Sequence, residues 1–430
     1  MSVCGAWGYR LSGMRMPQGP LRSRNFRLLL ACDVISVTGT AVALVAIPFA
    51  VLAIGGSAAD VGYVAAAVMF AALLFPLGGV VADRLPRHQV MMAANVLQAA
   101  AQAAAAALLL AGRAQVWELV VLAFARGVGY AFYFPAETGL LPQTVPADQR
   151  AAANAMDRIG RGVSQIGGSA LGGVLVAAAG PGWGLAVDAA SFAVAATLRA
   201  GMRFPGLPPV AKTGMLRELR EGWHDFISRR WFWTIVLALG LIVAISTAAT
   251  SVLGPVVAHD ELGGARSWGI ILAAYAAGAV LGGIIMLRFR PQRILLAAML
   301  PVPALSVFLF ALAVPLTVAW IAGIALLTGG CLEVFWVNWA TTMQQEIPPA
   351  KLSRLSSYDL FASFTLAPLG AVVAGPAANA FGAPAILTAG GILIVLLTVT
   401  VLVIPDVRHM RRQVHAHPGQ ASTLTPRRNQ

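Results

Sequence analysis

The sequence is divided by short polar stretches into twelve apolar runs, at about 28–53, 61–82, 90–112, 115–136, 151–179, 183–203, 231–257, 268–287, 293–313, 316–339, 354–380 and 385–404. Each is close to the ~20 apolar residues that an α-helix needs to cross a bilayer core. Inside lipid every backbone N–H and C=O must be paired within the protein, which leaves helices as the expected form of such runs. Charged residues make up 11% of the 430-residue chain, against about 25% in a soluble domain. The expected class is an all-α polytopic membrane protein: twelve transmembrane helices in two pseudo-symmetric six-helix bundles.

The net charge of +13 would suggest nucleic acid in a soluble chain, but here the bases sort by side. With the N-terminus placed inside, the six outward connections contain only Arg113 and Arg266, and twenty-four of the thirty Lys and Arg fall on the inward side. The positive-inside rule then places both termini in the cytoplasm, and no nucleic-acid partner is expected. Residues 1–27 read as a cytoplasmic tail without the pattern of a cleaved signal; Met14 or Met16 also suits a start. The bundles span 28–203 and 231–404. The linker 204–230 opens with Pro205, Pro208 and Pro209, and then carries Met215, Leu216, Leu219, Trp223 and Phe226 at helical spacing. That pattern predicts an amphipathic helix on the inner membrane surface. Residues 405–430 read as a basic tail.

Shifting the chain by 203 residues brings Val145-Pro146-Ala147 onto Pro348-Pro349-Ala350. In the spans that follow, Gly160, Ser164, Gly168 and Gly172 meet Ser363, Ala367, Ala371 and Gly375. Small residues every four positions form a helical stripe that another backbone can approach closely. The eighth span offers a matching stripe in Ala274, Gly278 and Gly282. The two stripes in register point to homologous halves, an architecture in which substrate binds between the halves near the midplane.

The loop after the second span, Gly78-Gly79-Val80-Val81-Ala82-Asp83-Arg84-Leu85-Pro86-Arg87-His88, resembles the major facilitator superfamily signature G-x-x-x-D-R-x-G-R-[KR]. Gly79, Asp83, Arg84 and Arg87 match, while Pro86 and His88 depart from it. The fifth span resembles the antiporter signature G-x-x-x-G-P-x-x-G-G at Gly168, Gly172 and Gly173, with Ser164 and Ser169 replacing a glycine and the proline. Phe134-Pro135-Ala136, Leu140-Leu141-Pro142, Val145-Pro146, Asn154-Ala155, Gly180-Pro181-Gly182-Trp183 and Asp188-Ala189-Ala190-Ser191-Phe192 are similar to the macrolide-efflux and enterobactin-exporter branch. The resemblance implies export of a small amphipathic molecule (drug, macrolide-like or siderophore-like) across the plasma membrane, with protons as coupling ion. It also implies a gating role for Asp83 against the start of the eleventh helix, near 353–357. An importer or uniporter of the same fold is the alternative; a non-transporting sensor is the reading from another class.

Ionisable groups inside a membrane are costly and mark functional positions. Asp33 and Glu333 lie about 10 Å in from the cytoplasmic side at ~1.5 Å per residue. The superfamily's cavity is lined by helices one, four, seven and ten, so the resemblance puts both carboxylates near the route, to exchange protons or to bind a cationic group. Arg126, near the middle of the fourth span, is expected to pair with Asp33, to bind an anionic substrate or to sit in a structural pair. Asp157, Arg158 and Arg161 read as interfacial ion pairs, and Asp188 with Ser191 as structural. Phe335, Trp336 and Trp339 are either substrate platforms or interfacial anchors. The histidines show no metal spacing within a span, and three scattered cysteines (Cys4, Cys32 and Cys331) make no disulfide framework. There is no P-loop. No catalytic site, metal or cofactor is expected, and the chain reads as a monomer.

Overall fold

The structure, a computed structural model, describes residues 19–202, 204, 227–289, 291–314, 316–347, 355, 359 and 365–410. The linker helix, most of 405–430, most of the start of the eleventh span, and Ser363 with Pro348-Pro349-Ala350 of the repeat lie outside the described residues. The described chain forms α1 (Arg24–Ala53), α2 (Ala58–Ala82), α3 (Arg87–Leu110), α4 (Val116–Glu137), α5 (Ala147–Ala179) and α6 (Pro181–Ala200) in its first half. The second half holds α7 (Trp231–Asp260), α8 (Ala265–Arg288), α9 (Ile294–Ala313), α10 (Val318–Glu346), α11 (Ala367–Phe381) and α12 (Ala383–Val403). Ten of these are long and apolar enough to cross a membrane by themselves. The other two are α6, whose apolar run is interrupted by Asp188 and Arg199, and α11, which adjoins undescribed residues.

Local chemistry starts and bends these helices. Ser23 caps α1 by accepting from the Phe26 N–H at 3.2 Å, and Ser57 with Asp60 forms a capping box at α2, each satisfying N–H groups that have no partner within the helix. In α7, Pro255 removes a helical donor, and the ladder loosens into a π-helical stretch at Ala248–Leu253 just before it.

The packing is two-fold. In the first half α1 packs on α5 and α6, α3 on α4 and α6, and α2 on α4. Shifting each number by six reproduces the second half: α7 on α11 and α12, α9 on α10 and α12, and α8 on α10. The halves meet through α5 with α8 and α2 with α11, which the same shift exchanges. At both seams backbones touch because side chains are small. A methyl group on Gly62 would collide with the Ala371 carbonyl, and one on Gly173 would lie 2.9 Å from the Ala265 carbonyl and 3.0 Å from Gly269 Cα. These contacts sit at the face opposite the one where α1 begins.

The expected stripes do different work. Gly168 and Gly172 admit α1, at Thr38 and Val42. Gly278 and Gly282 admit α10, at Leu326 and Gly330. Both stripes therefore pack inside their own halves, and the one on α8 does not face the one on α5, because the seam register brings Gly269, not Gly278, to Gly173.

Candidate functional site

Asp33 is 1% exposed and lies where α1, α4, α5 and α6 converge. Its Oδ1 accepts from Arg199 Nη2 on α6 at 2.8 Å and lies 3.1 Å from the Tyr133 hydroxyl on α4. Its Oδ2 lies 3.0 Å from Arg161 Nη2 on α5. Arg199 also donates to the Tyr133 oxygen at 2.7 Å, and its guanidinium carbon lies 5.0 Å from that ring's centre. Arg161 is bound further to Glu137 and, one turn back on its own helix, to Asp157 at 2.8 Å.

Charged groups this deep persist only when paired and hydrogen-bonded. Among the described residues, the charged groups acting on Asp33 are Arg161, Arg199, Glu137 and Asp157. Three carboxylates thus face two guanidiniums, and a single bound proton brings the cluster to neutrality. Tyr133 stands between two acceptors, 3.1 Å from Asp33 and 3.4 Å from Glu137. Its one hydroxyl proton serves either.

Arg126 is not the partner of Asp33. Its Nε lies 3.6 Å from Asp188 Oδ2 on α6, and its guanidinium covers the Phe192 ring at 5.9 Å. Asp188, fully buried, also accepts from Gln102 Nε2 on α3 at 2.6 Å. The first half therefore holds two separate polar clusters, one near the face where α1 begins and one deeper.

Glu333 stands apart in the other half, on α10 against Gly283 of α8, with Arg158 of α5 as the cation acting on it. One turn further, Trp336 lines a cleft of about 190 Å³ between α7, α8, α9 and α10, together with Leu239, Ser246, Tyr275, Met299 and Phe335. Phe335 and Trp339 are buried and stacked, with centroids 6.3 Å apart, and Trp339 donates to Asp359 at 3.0 Å. Phe335 lines the cleft with Tyr275 and Trp336, and Trp339 stacks on Phe335 outside the lining.

In the signature loop, Gly79 meets open space, whereas a methyl group on its neighbour Gly78 would collide with the Ala131 carbonyl of α4. Arg87 lies against Gly139 at the end of α4 and Arg84 is exposed. The Asp83 side chain and most of 353–357, its expected counterpart, lie outside the described residues.

Tyr133, Glu137 and Arg199 are missing from the sequence-based candidates, and Arg161 was assigned only an interfacial role. A signal existed: Tyr133 with Glu137 and Asp157 with Arg161 are i,i+4 pairs, near the same side as Asp33.

A family model described as "transmembrane secretion effector" matches residues 16–426. The chain is 26% identical over 399 residues to the multidrug efflux pump Tap of Mycolicibacterium fortuitum, covering 89% of this chain and 96% of that one. It is 22% identical over 354 residues to macrolide efflux protein A of Streptococcus pyogenes, covering 79% and 85%. The crystal structure of the nucleoside transporter NupG superposes with a TM-score of 0.69 at 14% identity, over 88% of this chain and 98% of that one. With two six-helix halves, small-residue seams and ion pairs buried among helices, the chain is a multi-pass membrane transporter, not an enzyme, and belongs to the transmembrane secretion effector family of the major facilitator superfamily.

Proposed function

We propose that this protein exports small amphipathic molecules across the plasma membrane by alternating access, in exchange for protons taken up at the Asp33 cluster. The efflux activities named in its relatives support the direction. The observation that carries the coupling is the set of three carboxylates, with Asp33 buried and Glu137 and Asp157 partly exposed, held by two guanidiniums. Its members come from α1, α4, α5 and α6, so a proton that loosens the Asp33 pairs loosens the packing of four helices at once. With the termini in the cytoplasm, as the distribution of bases indicates, the seam contacts close the outer face and this state opens inward.

The cleft beside Trp336 is the substrate site in this reading. At about 190 Å³ it is smaller than the roughly 300–1,000 Å³ of drug-sized pockets, so it takes one apolar or aromatic end of the molecule. Ser246 and the Tyr275 hydroxyl supply polar contacts, and Glu333, with Arg158 as the cation acting on it, lies one turn back along α10, farther from the cytoplasm.

The test is transport by the purified protein in liposomes with an imposed pH gradient. Expected is movement of a macrolide or lipophilic dye that is driven by, and dissipates, the gradient. Transport indifferent to the gradient rules out the coupling; net uptake against the exporting direction favours an importer.

A further inference from the structure

The helix α3 carries a buried polar stripe that the two clusters do not account for. Asn95, Gln98 and Gln102 recur at spacings of three and four, on one face, and are 0%, 2% and 4% exposed. Gln102 reaches Asp188, but both amide atoms of Asn95 and the Nε2 of Gln98 have no partner among the described residues. Among the described residues, no hydrogen bond reaches Arg199 Nε and Nη1 at one end, and at the other Arg126 Nε has only its 3.6 Å ion pair with Asp188.

Antiparallel register makes this one track. Gln102 of α3 meets Asp188 of α6, and near the outer end Leu110 packs on Gly182. Two turns back along both helices, Asn95 stands level with Ala195, and one further turn of α6 brings Arg199. Gln98 lies against Gly129 of α4, and Met91 packs with Cys32, Tyr133 and Ala195 around the Asp33 end. Beyond Gln102 is a cavity of about 20 Å³ bounded by Ile47, Val64, Leu119 and Leu185, with Gln102 as its polar lining residue; that is room for one water molecule, held from the Gln102 side. Buried amides and guanidinium N–H groups without protein partners are the groups that internal waters satisfy.

We propose that this stripe holds a chain of internal water molecules that carries protons between the cavity beside Gln102 and the Asp33 cluster, separately from the substrate passage. The proposal deepens the proton-coupling reading and rests on it. A proton entering at the cavity forms an O–H bond to the first water as that water's own O–H breaks toward the next. The last water delivers a proton to a carboxylate oxygen of the cluster, and Tyr133 passes its own proton between Asp33 and Glu137 in the same sense. The amides of Asn95 and Gln98 hold the waters and exchange no proton.

The test uses the full chain in lipid nanodiscs and liposomes. Hydroxyl radicals generated by X-rays label side chains beside bound water. Met91 and Phe192 are 0% and 4% exposed, so labelling there reports internal water and is the expected result. In Asn95→Leu/Gln98→Leu, apolar groups of similar size remove the water ligands with little loss of stability. This variant is expected to lose the labelling and to move protons at least about tenfold more slowly during transport, with substrate affinity unchanged. Asn95→Ser, which keeps a ligand for water, is expected to retain most of the proton flux. No labelling in the wild type overturns the route. A proton-moving wild type whose double variant behaves identically overturns the route alone; a wild type that transports without moving protons overturns the coupling reading and the route with it.

Discussion

Asp33 of α1 and Arg199 of α6 form a 2.8 Å ion pair in which Arg199 is 0% exposed, and the Tyr133 hydroxyl bridges the two. Both are buried, so each is held in the interior by the other, and Asp33 is held by Arg161 as well. A proton on Asp33 would therefore alter helix packing as well as charge, which is the link an antiporter needs between protonation and conformation.

Asp33→Asn keeps the size of the side chain and one acceptor oxygen, and removes the charge and the titratable group. The variant is expected to insert in the membrane and to bind substrate, while substrate-driven proton release disappears and export falls by about tenfold or more. Export by the variant should no longer respond to the transmembrane pH difference. Fluorescent pH reporting in liposomes checks both.

Removing one partner of a buried pair costs about 3–5 kcal/mol because the other charge is left uncompensated. Arg199→Leu and Asp33→Leu are each expected to destabilise the protein by that order. The double variant should lose clearly less than the sum of the two, and unfolding in detergent across the mutant cycle measures the difference.

The two glycines at the head of the signature loop should behave oppositely. Gly78→Ala pushes a methyl group into the Ala131 carbonyl and is expected to cost about 1–3 kcal/mol, the usual range for overpacking. Gly79→Ala meets nothing and should be neutral or stabilising by roughly 0.5–1 kcal/mol, since alanine suits a helix better. Thermal denaturation of the two variants tests the contrast.

Trp336→Ala is expected to weaken binding of an aromatic or macrolide substrate by roughly tenfold, about 1.4 kcal/mol, with proton exchange at Asp33 intact. Phe335→Ala, in the buried stack, should instead lower stability, by about 3–5 kcal/mol. Ligand titration and melting temperature separate the two outcomes.

Gly173→Leu places a side chain where Gly269 and the Ala265 carbonyl now touch the α5 backbone. The seam at that face is expected to open, shifting the population toward the opposite state while both halves stay folded. Distances between spin labels across the seam would lengthen in the apo protein.

Much of the fold is legible in the residue pattern, for physical reasons that act along the chain. A bilayer admits only helices of a certain length, so the apolar runs determine how many elements there are and where they lie. Repetition of the stripe in 160–172 at 363–375 revealed the duplication, and the signature at Gly79, Asp83, Arg84 and Arg87 named the superfamily. Asp33, Glu333 and Arg126 were recognisable as unusual because charge inside lipid is costly wherever it occurs.

Which charges meet was not legible, because pairing depends on the rotation and register of helices far apart in sequence. Arg126 found Asp188, not Asp33, since α4 turns its guanidinium toward Gln102 and Phe192. Asp33 found Arg199 and Arg161, residues 166 and about 130 positions away. Likewise the α8 stripe at Gly278 and Gly282 serves α10, because an axial offset at the seam brings Gly269 to Gly173. Hydropathy, charge and small-residue periodicity act locally and so determined the class, the spans and the two halves. Tertiary packing alone decided which ionisable groups share a proton-sized imbalance of charge, since a guanidinium is neutralised by whichever carboxylate the fold brings within about 3 Å.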